Sequence, residues 1–237
     1  MTASLISLAV TAVALAGYRT RILPTGLSLL LFAVALAAAA GGIAVSAFRL
    51  VRDATSGSPV SAASVAGLVL GLLILLVPAI TVIGNRRQAH GLPPIHDVST
   101  DTVDPPLFVD VVSRRRPGEN TLEYGGETVA RQQRVAYPDL QPLVVDAPAA
   151  VVFVRALAAV QALGWEVAGQ DAAAGRIEAT DTTFWFGFQD DVAVRIRPEG
   201  ARSRVDVRSL SRIGGGDVGT NARRIRTLMA ALASTTR

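Results

Sequence analysis

The sequence predicts a membrane-anchored α+β protein, with about three N-terminal transmembrane α-helices followed by a soluble domain. That domain is expected to hold an antiparallel sheet with two helices packed on one face. Three observations predict this. Two long runs near the N-terminus, 27–47 and 61–84, contain no charged side chain. All but one of the acidic residues fall after residue 91. Beyond residue 137 the apolar positions recur at helical spacing, then at period two between turn residues, then at helical spacing again.

The anchor comes first. About 20 apolar residues are needed to cross roughly 30 Å of hydrocarbon. The runs 27–47 and 61–84 meet that, and neither has the polar face of an amphipathic helix. A third segment, near 4–17, is shorter and carries Ser4, Ser7 and Thr11. It reads either as a first span or as a secretory signal peptide cleaved after Ala14-Leu15-Ala16. No Arg precedes its apolar run, which favours a retained span. The organisation expected is a transmembrane region over 1–91, an irregular Pro/Gly-rich segment over 92–136, and an α+β domain over 137–237.

Small residues line up within the spans, as Ala63-xxx-Gly67-xxx-Gly71 and as Ala38-xxx-Gly42-xxx-Ser46. Such spacing lets helix backbones approach closely, either within the chain or in a homo-oligomer. No ionisable residue lies deep in a span, so ion or proton transport by this chain alone is not expected.

Charge separates the two halves. Residues 1–91 hold six Arg against one Asp, and residues 92–237 hold 17 Arg against 18 carboxylates. The basic excess behind the pI of 10.5 therefore borders the spans, where Arg acts as a topological and headgroup anchor. Nucleic acid is not an expected partner; the lipid bilayer is. With no Cys, disulfides, thiol nucleophiles and Cys-type metal sites are excluded. With no Lys, Schiff-base chemistry and Walker-type phosphate loops are excluded too. The only histidines are His90 and His96.

In the soluble half, Pro93, Pro94, Pro105, Pro106, Pro117 and Gly125-Gly126 keep the first part irregular, with a short helix near Glu127–Arg134. A strand is expected at Leu140–Val145 and a helix from Pro148 to about Leu163, closed by Gly164. Strands are expected at Trp165–Ala168, Arg176–Thr180, Phe184–Arg197 and Ser203–Arg212. Val192, Val194 and Ile196 alternate with Ala193, Arg195 and Arg197, the pattern of a sheet with one buried and one wet face. Phe184, Phe186 and Phe188 fall on one side of that strand and are expected in the core. Ile225, Leu228, Met229 and Leu232 mark a final helix, capped by Asp217 or Thr220.

No complete catalytic, cofactor-binding or metal-ligating set is visible. His96, with Asp97, Asp101 and Asp104, is the most suggestive polar cluster, since a His among carboxylates can act as a base or hold a divalent cation. Asp190 and its neighbour Asp191 should point to opposite faces of a strand, which rules out a dyad between them. Trp165 and Trp185 are candidates for an exposed apolar groove. Arg195, Arg197 and Arg208 should share the wet face with Asp206, as cross-strand ion pairs or as a seat for an anionic headgroup. The candidate ligand or partner surface is therefore His96, Asp97, Asp101, Trp185, Asp190, Arg195, Arg197 and Arg208. Arg114-Arg115-Arg116 reads as a solvated loop, and Gly214-Gly215-Gly216 as a hinge before the last helix.

Several motifs of the soluble half resemble a known family. They are Pro93-Pro94-Ile95-His96-Asp97-Val98-Ser99-Thr100-Asp101-Thr102 with Pro105-Pro106, Ala136-Tyr137-Pro138-Asp139, and Leu163-Gly164-Trp165-Glu166. Arg176-Ile177-Glu178-Ala179-Thr180, Trp185-Phe186-Gly187-Phe188, Asp190-Asp191 and Ser203-Arg204-Val205-Asp206-Val207-Arg208-Ser209 follow in order. Together they resemble the domain-of-unknown-function family 1499 across essentially the whole soluble half. The resemblance implies a bacterial envelope protein without an established activity, and it supplies no functional residues. It points to an extracytoplasmic domain in the inner membrane, whereas Arg placement, four residues against two, prefers a cytoplasmic one. The expectation is a non-enzymatic envelope protein that binds a partner or amphiphile near the membrane. The alternatives are an enzyme using the His96 loop and an accessory subunit of a membrane complex.

Overall fold

The computed structural model describes residues 1–234, apart from the side chains of 85–89 and 234. The side chains of Arg86 and Arg87, counted above for membrane sidedness, lie outside the described residues. The chain divides into two compact units, Met1–Arg87 with Phe184–Gly187, and Gln88–Thr183 with the chain from Phe188 onward.

The first unit is built on α1 (Thr2–Arg19), α2 (Thr25–Thr55) and α3 (Ala62–Ala89). All three are long and apolar enough to cross a membrane. The hydroxyls that make α1 less apolar turn inward. Ser4 Oγ donates to Gly67 O (2.8 Å) and Ser7 Oγ to Ala35 O (2.7 Å). The small-residue lines serve the same packing. A Cβ on Gly42 would meet Ser4 Oγ at 2.7 Å, and one on Gly71 would meet Ile43 Cγ1 at 2.7 Å. Those glycines are thus used within the chain, while Leu30, Leu73 and Ile80 face outward.

The second unit is α+β. Its strands are β1 (Asp97–Ser99), β2 (Leu143–Val145), β3 (Glu166–Asp171), β4 (Arg176–Thr182), β5 (Gln189–Glu199) and β6 (Arg202–Ser211). All pairings are antiparallel, in the order β3-β4-β5-β6, and β1 and β2 share the outer edge of β6. α4 spans Gly126–Ala136, α5 Ala149–Ala162 and α6 Thr220–Ser234. The segment expected to be irregular thus supplies a strand, and the short helix expected near Glu127–Arg134 runs for three turns over Gly126–Ala136. Gln133 of α4 completes the edge of β1: its Nε2 donates to Ser99 O (2.6 Å) and its Oε1 accepts from Ser99 N–H (2.8 Å).

α5 and α6 cover one face of the sheet. Val152, Phe153, Ala156 and Val160 of α5 join Ala222, Ile225, Leu228 and Leu232 of α6 over Ile177, Val192, Val194, Ile196, Val205 and Val207. α5 ends where Gly164 takes φ +76°, which lets Trp165 N–H reach back to Val160 O (3.2 Å). Of the two expected caps for α6, the side chain of Asp217 takes the role, accepting from the N–H groups of Gly219 (3.0 Å) and Asn221 (2.5 Å).

Two expectations change. β5 begins at Gln189 rather than at Phe184, because Gly187 takes φ +81° and breaks the extended run. Phe184 is consequently exposed instead of in the core, and Phe186 is buried in the helical unit. The polar sheet face is also wet only at its far end, where the Arg197 and Arg204 side chains are 40% and 34% exposed. The chain between β1 and α4 lies over it, and Asp191, Asp206, Arg208 and Arg212 are each at most 1% exposed. Paired guanidinium and carboxylate groups satisfy one another beneath that cover, so the alternating polar pattern survives burial.

Candidate functional site

The covered face is held by four ionic groups, each seated where strand periodicity aims it. At the β1 edge, Arg208 Nε and Nη2 donate to the two oxygens of Asp97 (3.0 and 2.7 Å). The remaining donors go to Pro106 O (3.2 Å) and Leu122 O (2.8 Å). The Phe108 and Tyr124 rings lie 4.8 and 5.5 Å from the guanidinium carbon. Burial, and next the Asp97 charge, push the Tyr124 hydroxyl up to about 12.

At the far end of the strands, Arg195, Arg197 and Arg204 converge on Asp101 and Asp206, with Asp104 joining from the loop. Burial works to raise the Asp101 carboxyl. The N–H groups of Asp104 and Val103, with the Arg204 and Arg195 charges, outweigh it and hold the group below the ordinary carboxylate range.

In the third group, Asp191 accepts from Arg212 (2.7 Å), Arg115 (2.6 Å) and Thr180 Oγ1 (3.0 Å). Arg114 pairs with Glu166 on β3 (2.6 Å). The Arg114-Arg115-Arg116 run is therefore not a solvated loop, since Arg114 and Arg115 fasten the cover to the sheet. The fourth group is Glu178, whose oxygens accept the N–H groups of Val109, Asp110 and Val111 at 2.8–3.0 Å. Burial raises its pKa despite those three bonds.

A fifth cluster lies on the helix face. Arg224 of α6 donates to Asp181 and Asp190 (2.7 Å each), to Asn221 Oδ1 (2.7 Å) and to Ser209 Oγ (3.0 Å). Burial pushes the Asp190 carboxyl up, against the pull of Arg224.

The structure therefore splits the residues singled out from sequence. Asp97 meets Arg208, and Asp101 meets Arg195 and Arg197, on the covered face. Asp190 is on the opposite face, and Asp191 points away from it as strand alternation requires. His96 is half-buried, and its backbone carbonyl accepts from Ser211 N–H and Asn221 Nδ2 (2.9 Å each). Trp185 belongs to the helical unit and is 56% exposed. Trp165 is buried in the core. Sequence reasoning placed Arg115 in a solvated loop and gave no role to Arg204, Arg212 and Arg224, although the restriction of basic residues to Arg was a signal for them. The planar guanidinium fork suits buried, multiply bonded pairs in a way an ammonium does not. Among the described residues, no group of three or more His, Asp or Glu is disposed to hold a metal ion.

In unit one, Phe184–Gly187 packs at the end of α1. The Phe186 ring lies 5.4 Å from Tyr18 and 5.6 Å from Phe32, and Phe184 meets Trp185 edge-to-face at 5.2 Å. Arg19 Nη1 donates to the carbonyls of Phe184 and Trp185, the latter at 3.1 Å.

Residues 97–232, more than half of the chain, match the family described as "Protein of unknown function (DUF1499)". The chain belongs to this family. The DUF1499 match begins at Asp97 and ends at Leu232, so it takes in both members of every ion pair described for the sheet and leaves α1, α2 and α3 outside. No curated protein matches the chain. Among solved structures, the DUF1499 chain is similar to Ara h 8.0201 at 10% identity, over 40% of this chain and 95% of that one, with a TM-score of 0.31. It is similar to the di-domain ARO/CYC protein BexL from the BE-7585A biosynthetic pathway at 21% identity, over 39% of this chain and 43% of that one, with a TM-score of 0.30. For TTHA0849 from Thermus thermophilus the identity is 12%, over 40% of this chain and 97% of that one, with a TM-score of 0.25. Likenesses this low carry no inference about ligand or activity.

Proposed function

We propose that the chain is a multi-pass protein of the bacterial cytoplasmic membrane whose α+β domain is extracytoplasmic and binds a partner or an amphiphile at the membrane surface. One observation carries the binding reading. Phe184 and Trp185 are adjacent, 78% and 56% exposed, in a stretch that belongs with the membrane helices. Adjacent large aromatics left open to solvent are characteristic of contact surfaces. The charged candidates support the same reading from the other side. Asp97, Asp101, Asp190, Arg195, Arg197 and Arg208 are each held in an ion pair within the fold, a structural use rather than an acid–base one. The inward hydrogen bonds of Ser4 and Ser7 support a retained first span over a cleaved signal peptide. The extracytoplasmic side rests on the resemblance to envelope proteins.

A photoreactive benzophenone side chain at position 185, irradiated in living cells, tests the binding reading. A defined protein or lipid adduct is expected; a chain that stays uncrosslinked after irradiation refutes it. Sidedness is read with Ser58→Cys, Ala173→Cys and Ala201→Cys and a membrane-impermeant maleimide, using exposed positions. Labelling at 173 and 201 but not at 58 is expected, and the reverse pattern moves the domain into the cytoplasm.

A further inference from the structure

We infer that the amphiphile is the phospholipid of the protein's own membrane, and that Phe184 and Trp185 form an aromatic anchor seated in the bilayer interface beside the α1–α2 turn. The inference rests on the binding reading above but not on which side of the membrane the domain occupies.

The helices themselves set the depth. α1 ends at Arg19, Arg21 lies in the turn, and α2 begins at Thr25. At 1.5 Å per residue the 31 residues of α2 run for about 46 Å, well beyond a hydrocarbon core of roughly 30 Å. Its uncharged run 27–47 fills that core, which leaves Thr25 and the turn holding Arg21 at headgroup level and puts Phe32, about 8 Å along the axis from Leu27, just inside the acyl region. The Phe186 ring lies against Phe32 and against Tyr18, the neighbour of Arg19, which sets its own neighbour Trp185 near that boundary.

The chemistry fits the level. Arg19, a cation at the end of a span, turns its guanidinium onto the carbonyls of Phe184 and Trp185, so two carbonyls of the tip are met while its rings stay exposed. Trp and Phe side chains exposed at headgroup depth are the composition of an interfacial aromatic belt. The tip is also shaped for a close approach. Gly187 takes φ +81°, and a Cβ there would meet Arg19 Cγ at 2.8 Å, so only glycine permits this contact. Three spans also place the α1–α2 turn on the same side of the bilayer as the chain that follows α3. Exposed rings carried by the same unit as the spans meet the lipid around those spans first, so lipid is the occupant to which the geometry points.

The test uses the full chain reconstituted into phosphatidylcholine vesicles. The protein has two tryptophans, and Trp165→Phe leaves Trp185 as the reporter. Doping the vesicles with phosphatidylcholine brominated near the glycerol end of its acyl chains should quench Trp185. Bromine at the methyl end should quench it less, and aqueous acrylamide should reach it poorly. Trp185→Phe leaves the buried Trp165 as a check on folding. If Trp165→Phe fails to fold, the difference between the wild-type chain and Trp185→Phe gives the same readout. Emission indifferent to brominated lipid and freely quenched by acrylamide overturns the anchor. If the benzophenone at 185 then captures a defined protein, the binding reading survives with a protein as the occupant. A chain that does not float with the vesicles overturns the spans and the anchor together.

Discussion

Replacing Asp97 by Asn should cost the domain about 3–5 kcal/mol, because it leaves a buried guanidinium without its counter-ion. Arg208 is 1% exposed, so its guanidinium is a buried cation. The introduced amide would still offer one oxygen, and the Pro106 and Leu122 carbonyls would remain, so the loss is electrostatic rather than geometric. For a domain of this size the expected fall in Tm is roughly 6–20 °C. The clean assay is urea unfolding of the full chain in detergent micelles, on a Trp185→Phe background so that buried Trp165 reports. Arg208→Met should be comparably damaging. Combining it with Asp97→Leu should cost less than the sum of the Arg208→Met and Asp97→Leu single losses by roughly 1–3 kcal/mol, since no lone charge is then left under the cover. A loss below about 1 kcal/mol for Asp97→Asn, or strictly additive losses, would refute the view that Asp97 exists to neutralise Arg208.

Four further outcomes are expected. Asp101 has a lowered folded-state pKa, so its stabilisation is present above the ordinary value of 3.8 and is lost as pH falls through the lowered one. Asp101→Asn should therefore reduce Tm at neutral pH and flatten its acid limb, and an unchanged limb would count against the assignment. Asp217 is raised by burial, so its contribution is complete below the ordinary value and declines as pH rises towards the raised one. Asp217→Asn keeps the cap and should remove that decline from the Tm–pH curve. Glu178→Ala strands three backbone donors, at about 1–3 kcal/mol, and should raise hydrogen exchange at Val109, Asp110 and Val111 before any global change. Gly71→Val forces a side chain against Ile43 and Ala39 and should lower the melting of the helical unit while the Trp165 transition holds. Loss of a dimer without loss of stability would show that this face joins two chains instead.

Local chemistry was legible in the sequence, and long-range pairing was not. The spans could be read because hydrocarbon tolerates no charge over about 20 residues, a property that needs no partner to recognise. The helix pattern of 148–163 and the alternation of 192–197 are likewise decided within a few residues, and the structure follows them; the cap could be narrowed to Asp217 or Thr220, and Asp217 takes it. The cover over the polar sheet face is different in kind. Asp97 and Arg208 are 111 positions apart, and Arg115 and Asp191 are 76 apart, so no window of sequence contains both partners. Period two shows which side chains share a face, but not whether water or chain lies above them. The aromatic tip failed for a related reason: Phe184, Phe186 and Phe188 satisfy strand periodicity, yet one glycine at φ +81° redirects the first three residues of Phe184–Gly187 to partners on α1 and α2. Yet one clue to the cover was present in composition. A solvated face tolerates Lys as readily as Arg, whereas a buried pair favours the guanidinium fork, which can bond a carboxylate and nearby carbonyls at once. A polar strand face of alternating Arg and Asp, in a chain with no Lys at all, is therefore better read as a surface awaiting a cover than as one open to water.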